Sequence, residues 1–205
     1  MTNTQLDLAS IFKTVTSTLA QNQSALNEAD TYNHDHGTHM VDIFNTITKA
    51  VGSKQGKDAA TQLKYAGEQL LKGEHSGSAE MYGKNLLEAA SQLKGQQLTA
   101  DNGMQLVQML LGAQQPAQQQ PAAGGMLGSL LGGLAAGGTS EGLDAGDLLN
   151  AGMAFMQARK SGDSNAEALL DAVVAASSAG QSQHRAQSGK LVAFSLLEAF
   201  SGLKK

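Results

Sequence analysis

Apolar residues recur along this chain at helical spacing, and no stretch reads convincingly as a strand. Leu8, Ile11, Phe12, Val15 and Leu19 fall at i, i+3, i+4, i+7 and i+11, one face of an amphipathic helix. Met40, Phe44, Ile47 and Val51 repeat the pattern up to Gly52, and Ala59, Leu63, Ala66 and Leu70 give a third helix over Lys57 to Lys72. Gly73 to Gly83 interrupts it. A fourth helix opens with Leu86, Ala90 and Leu93, and a fifth, with Thr99 as cap, carries Met104, Val107 and Leu111. Ala and Leu favour helix and β-branched residues are scarce. Both prolines, Pro116 and Pro121, sit close together, so the rest of the chain lacks that helix breaker.

Composition changes after the fifth helix. Ala113 to Gly125 is a low-complexity Gln/Pro stretch, expected as a disordered or extended linker. Met126 to Gly138 is apolar but rich in glycine, at best a weak helix. Helical pattern resumes over Leu143 to Lys160. Ser164-Asn-Ala-Glu167 is a capping box for a helix through Leu169, Leu170, Val173 and Val174 to Gly180. A last helix holds Leu191, Phe194, Leu197 and Phe200. The expectation is one all-α domain over residues 1–205, an antiparallel bundle of about eight helices, with a low-complexity insertion at about 113–138.

The function classes narrow by exclusion. No cysteine means no disulfide, no zinc-thiolate site and no thiol catalysis. A net charge of −4 argues against nucleic acid as the main partner. The first residues show no signal peptide, and no run is long enough for a transmembrane helix, so the expectation is a soluble cytoplasmic protein.

Three polar clusters are candidates for chemistry. The first is Glu28, Asp30, Asn33, His34, Asp35, His36, Thr38 and His39, just before a helix that Thr38 can cap. Its oxygens suit Mg²⁺ or another hard cation, its imidazoles suit a transition metal, and a helix N-terminus suits phosphate. The same residues also make ordinary turns, and the histidines do not fit HExxH. The second cluster is His75-Ser76-Gly77-Ser78-Ala79, whose small residues before a helix can cradle phosphate on backbone N–H groups, though no Walker loop is present. The third is Ser182 to Gly189, expected as a loop before the last helix. There Arg185 can hold phosphate by its fork, and His184 is a conceivable general base with no nucleophile to pair with. Catalytic residues cannot be named from spacing.

Taken in order, these clusters resemble the dihydroxyacetone kinase L-subunit family (DhaL, or Dak phosphatase domains). That family has a D-x-x-x-G-D-x-D-x-G-x-N-M loop, a Gly-Ala-Ser-Gly-P-x-[YF]-G loop and a G-x-x-D-P-G-A segment. Here the first corresponds to Glu28 through Met40 and the second to Ser76 through Gly83. Asp144-Ala-Gly-Asp147 is similar to an acidic helix start of the family. The resemblance implies a closed barrel of about eight antiparallel helices that binds ADP or ATP with Mg²⁺ at one end. It also implies phosphoryl transfer to a small hydroxy-ketone held by a partner kinase subunit. Carried over residue by residue, it makes Glu28, Asn33 and Asp35 the metal ligands. Thr38, His39, Ser76, Gly77 and Ser78 would join Arg185 in holding the nucleotide phosphates. The chain departs from the pattern at Asn33, an amide for a carboxylate, and at His39, Ser76 and Glu80; Ala186 to Gly189 replaces D-P-G-A. Two other readings follow from the residues. One is a non-enzymatic binding or scaffold protein of the same fold, with residues 113–138 as a partner or lipid-facing surface. The other is a transition-metal site at His34, His36 and His39.

Overall fold

A computed structural model describes residues 7–73, 75–99, 103–112 and 183–202. Seven helices run through them: α1 (Leu8–Gln21), α2 (Gln23–Ala29), α3 (His36–Ser53), α4 (Ala59–Gly73), α5 (Gly77–Gln92), α6 (Gly103–Leu111) and α7 (Gln183–Gly202). Among the described residues there is no strand, and no helix is long and apolar enough to cross a membrane. The expected insertion at 113–138, the helices over 143–160 and 169–180 and the 164–167 capping box lie outside the described residues.

Caps and periodicity explain the elements. Asp7 caps α1, accepting from the Ala9 N–H at 3.0 Å and the Ser10 hydroxyl at 2.7 Å. The buried face of α1 is the predicted Leu8, Ile11, Phe12, Val15 and Leu19. Asp58 caps α4 through the Thr61 N–H and hydroxyl. Short connections after α3 and α4 bring consecutive helices back alongside one another.

Packing passes from α1 to α3, from α3 to α4, from α4 to α5, from α5 to α6 and from α6 to α7, and α7 returns to α1; α2 packs on α3 and α7. The rings of Phe12 and Phe44 sit 6.3 Å apart and those of Phe44 and Tyr82 5.1 Å apart, linking α1, α3 and α5 through the core. Burial of each such side chain stabilises the fold by roughly 1.5–3 kcal/mol. On the far side, Asn85 donates to the Leu110 carbonyl at 2.9 Å, and Phe200 of α7 lies against Gly103 of α6.

Several boundaries differ from the sequence reading. The stretch after α1, where the apolar pattern predicts no helix, contains α2, which is anchored by buried Leu26. Gly52 lies inside α3 rather than at its end. Thr38 is not the cap of α3, because the helix begins at His36 and Thr38 falls within its first turn. α5 starts at Gly77, since Ser76 caps it there, so the supposed interruption up to Gly83 is mostly helix. α7 starts at Gln183, which puts His184, Arg185 and Ser188 on helical turns rather than on a loop.

Candidate functional site

The beginnings of α3, α5 and α7 come together at one end of the molecule. Each arrives there for a local reason.

The corner between α2 and α3 is built on Asp30. Its carboxylate accepts the Tyr32 N–H at 3.1 Å, and the N–H groups of Asp35 and His36 at the start of α3 face it. Burial alone would raise its pKa. These N–H donors and nearby His184 outweigh that and hold it below the usual carboxylate range. His34 turns the chain with φ of +59°, a left-handed conformation in which His is enriched, and its Nδ1 lies 3.4 Å from the Asn27 carbonyl. Tyr32 beside it is almost fully exposed.

A second set of bonds clamps α2 to α3. Asn27 Oδ1 accepts the Thr38 N–H at 3.1 Å, while the Thr38 hydroxyl accepts from Gln23 Nε2 at 2.9 Å and Asn27 Nδ2 at 3.3 Å. The helices approach so closely here that a Cβ on Gly37 would collide with the Gln23 carbonyl oxygen. Only glycine fits that contact.

His36 joins this corner to α7. Its Nε2 lies 2.9 Å from the Ser188 hydroxyl, which donates to the Arg185 carbonyl at 3.0 Å, so the ring nitrogen is assigned as the N–H donor to Ser188. The His184 ring meets His36 edge-on at 4.7 Å. His36 and Ser188 are both buried. Burial, with His184, Arg185 and His39 nearby, lowers the His36 pKa to about 4 against the opposing pull of Asp30, so its ring is neutral at pH 7.

α5 contributes the third helix start. Ser76 accepts the Ala79 N–H at 3.1 Å, and its carbonyl takes the Glu80 N–H. The Arg185 guanidinium lies directly on Gly77, where a Cβ would stand 2.6 Å from its Nη2. Ser78 is buried behind it. Glu80, placed where the resemblance has proline, is drawn off by Lys84, whose hydrogen bond holds its carboxylate pKa down. Burial pushes the Tyr82 phenol well up, with Arg185 acting in the opposite sense.

The three clusters picked out from the sequence therefore meet through His36, Ser188, Arg185 and Gly77. The expected metal set is arranged differently. Glu28 and Asn33 are exposed, and Asp35 is engaged by His39, with Oδ1 and Nδ1 3.3 Å apart. Among the described residues no three His, Cys, Asp or Glu side chains gather in a group able to hold a metal. His34, His36 and His39 are likewise engaged with three different partners, Asn27, Ser188 and Asp35. Gln23 and Asn27, which hold the site together, were missed by the sequence reading, and Ser188 was included in the third cluster without a role. An Asx-turn at Asp30 was the one local signal available. No protein-family model matches the chain, and no match appears among the curated proteins.

Proposed function

We propose that this chain is a nucleotide phosphate-binding domain of the dihydroxyacetone kinase L-subunit kind, a closed helical barrel that takes the phosphates of ADP or ATP where α3, α5 and α7 begin. The observation that carries this reading is the convergence of the three motif-bearing helix starts, joined by the His36–Ser188 bond and the Arg185–Gly77 contact. Helix N-termini offer open N–H groups and the positive end of the dipole, both suited to phosphate. The Gly77 and Ser78 N–H groups would receive phosphate oxygens, and Arg185 would supply charge. Thr38, His39 and Ser76 shape the surround. Transfer of the phosphoryl group to a small hydroxy-ketone on a partner subunit extends this reading to an enzyme. A second reading, a non-enzymatic binding or scaffold protein of the same fold, is favoured by the exposed Glu28 and Asn33 and by the engagement of Asp35 with His39.

Calorimetry with ADP in the presence of Mg²⁺ tests the first reading. It predicts saturable binding that Gly77→Asp abolishes, and heat-silent titrations under all conditions would overturn it. Phosphoryl transfer to dihydroxyacetone, with a substrate-binding kinase subunit added, separates the two readings.

A further inference from the structure

The resemblance puts Mg²⁺ on Glu28, Asn33 and Asp35, and the donor set of the α2–α3 corner does not fit that ion. Mg²⁺ holds to closely spaced oxygen ligands, and affinity for hard cations follows the charge those ligands carry. Asn33 supplies a neutral amide. Glu28 is exposed near the end of α2, and the whole turn separates it from Asp35. Asp35 reaches one helical turn along α3, where its Oδ1 lies 3.3 Å from His39 Nδ1. Buried Asp30 is taken up by the Tyr32 N–H at 3.1 Å.

The corner has its shape without an ion. Asp30 holds the turn through Tyr32, Gln23 and Asn27 clamp Thr38, and His36 reaches Ser188 of α7 at 2.9 Å. These bonds tie α2, the turn, α3 and α7 together, which is the task a bound metal performs where a loop has few bonds of its own. Access for a cation is present. Asn33 is exposed and Asp35 half-exposed, two positions apart on the same turn. The deficit is charge at position 33, together with a carboxylate at position 35 that its neighbour engages. An exposed His–Asp pair is a modest competitor, so the amide at Asn33 is the larger of the two effects.

We infer that the α2–α3 corner holds no divalent cation and is shaped by its own side chains, because Asn33 removes a charged ligand and His39 engages Asp35.

Two measurements on the full chain, both free of nucleotide, test this. Thermal melts in EDTA and in excess Mg²⁺ should coincide. Substoichiometric Mn²⁺, followed by paramagnetic broadening of the amide NMR signals, should broaden residues 33–36 no more than those beside exposed Glu88. Asn33→Asp combined with His39→Asn, neither position being buried, should create a site. Broadening should then concentrate at residues 33–36, Mn²⁺ affinity should rise by about tenfold or more, and the melt should shift upward with Mg²⁺. Asn33→Asp alone should give most of that gain, and His39→Asn alone little. Selective broadening at residues 33–36 in the parent, or a parent melt that rises with Mg²⁺, overturns the inference. Absence of any gain in both the double variant and Asn33→Asp overturns it too, because those positions would then not be what excludes the ion. With no nucleotide present, either result leaves the nucleotide reading to its own calorimetry.

Discussion

Replacing Gly37 by alanine should force α2 away from α3. The new methyl would collide with the Gln23 carbonyl oxygen and lie 2.9 Å from both Asn27 Oδ1 and the Leu26 Cβ. The first of these is backbone, so no side-chain rotation relieves it. Overpacking of this kind costs about 2 kcal/mol. Separation of the helices also strains the Asn27–Thr38 bonds, for about 1 kcal/mol more. Alanine's better helix propensity offsets about 1 kcal/mol. The net loss is about 2 kcal/mol, a fall in Tm of about 4–8 °C for a chain of this size. Gly52→Ala is the internal control. It sits on the same helix, but its new methyl finds its nearest neighbour, the Ala9 Cβ, at 3.9 Å, which is ordinary contact. That change should stabilise by up to about 1 kcal/mol. Urea denaturation of the two variants beside the parent measures both. Equal midpoints for Gly37→Ala and Gly52→Ala would refute the close approach of α2 to α3.

Three further outcomes are expected. Because the His36 pKa is lowered in the fold to about 4, the unfolded chain binds more protons between that value and 6.5, and stability should fall as pH drops through this window. The loss should be on the order of 2 kcal/mol after allowance for solvent screening, and equal slopes for parent and His36→Gln in urea titrations over pH 4–6.5 would contradict it. Asp30→Ala should lower the thermal midpoint more than Asp35→Ala, because buried Asp30 holds the turn through the Tyr32 N–H while Asp35 holds only a half-exposed histidine; the reverse order in thermal melts would count against that role. Ser76→Ala removes the α5 cap and should cost about 1 kcal/mol in chemical denaturation, and an unchanged midpoint would show that the Ala79 N–H finds another partner.

The core of the first helices was legible in the sequence because burial and periodicity say the same thing there. Each residue named on the inner face of α1 is buried, as are Met40, Phe44, Ile47 and Val51 on α3. Helix starts were less legible. Gly77 and Gly83 look like breaks by intrinsic propensity, yet a capping serine and packing against α4 keep both in α5. α2 was missed because one buried residue, Leu26, is too little for a periodic signal. The site residues were recognised as types but not as partners. His36 and Ser188 stand 152 positions apart, and no local pattern reports such a bond. Asp30 was grouped with possible metal ligands, whereas it is buried and holds the turn through the Tyr32 N–H. Arg185 read as a phosphate fork on a loop, and its seat on Gly77 is a fact of tertiary packing.

The central claim is that the starts of α3, α5 and α7 form one phosphate-binding end. Amide NMR of the labelled full chain, titrated with ADP in the presence of Mg²⁺, measures this residue by residue. The account predicts saturable shifts centred on the Gly77 and Ser78 amides and the Arg185 guanidinium, with smaller ones at His36 and Ser188. An unmoved spectrum would contradict it, as would shifts confined to the depression of about 830 Å³ near Thr61, Lys64 and Lys94 between the start of α4 and the end of α5.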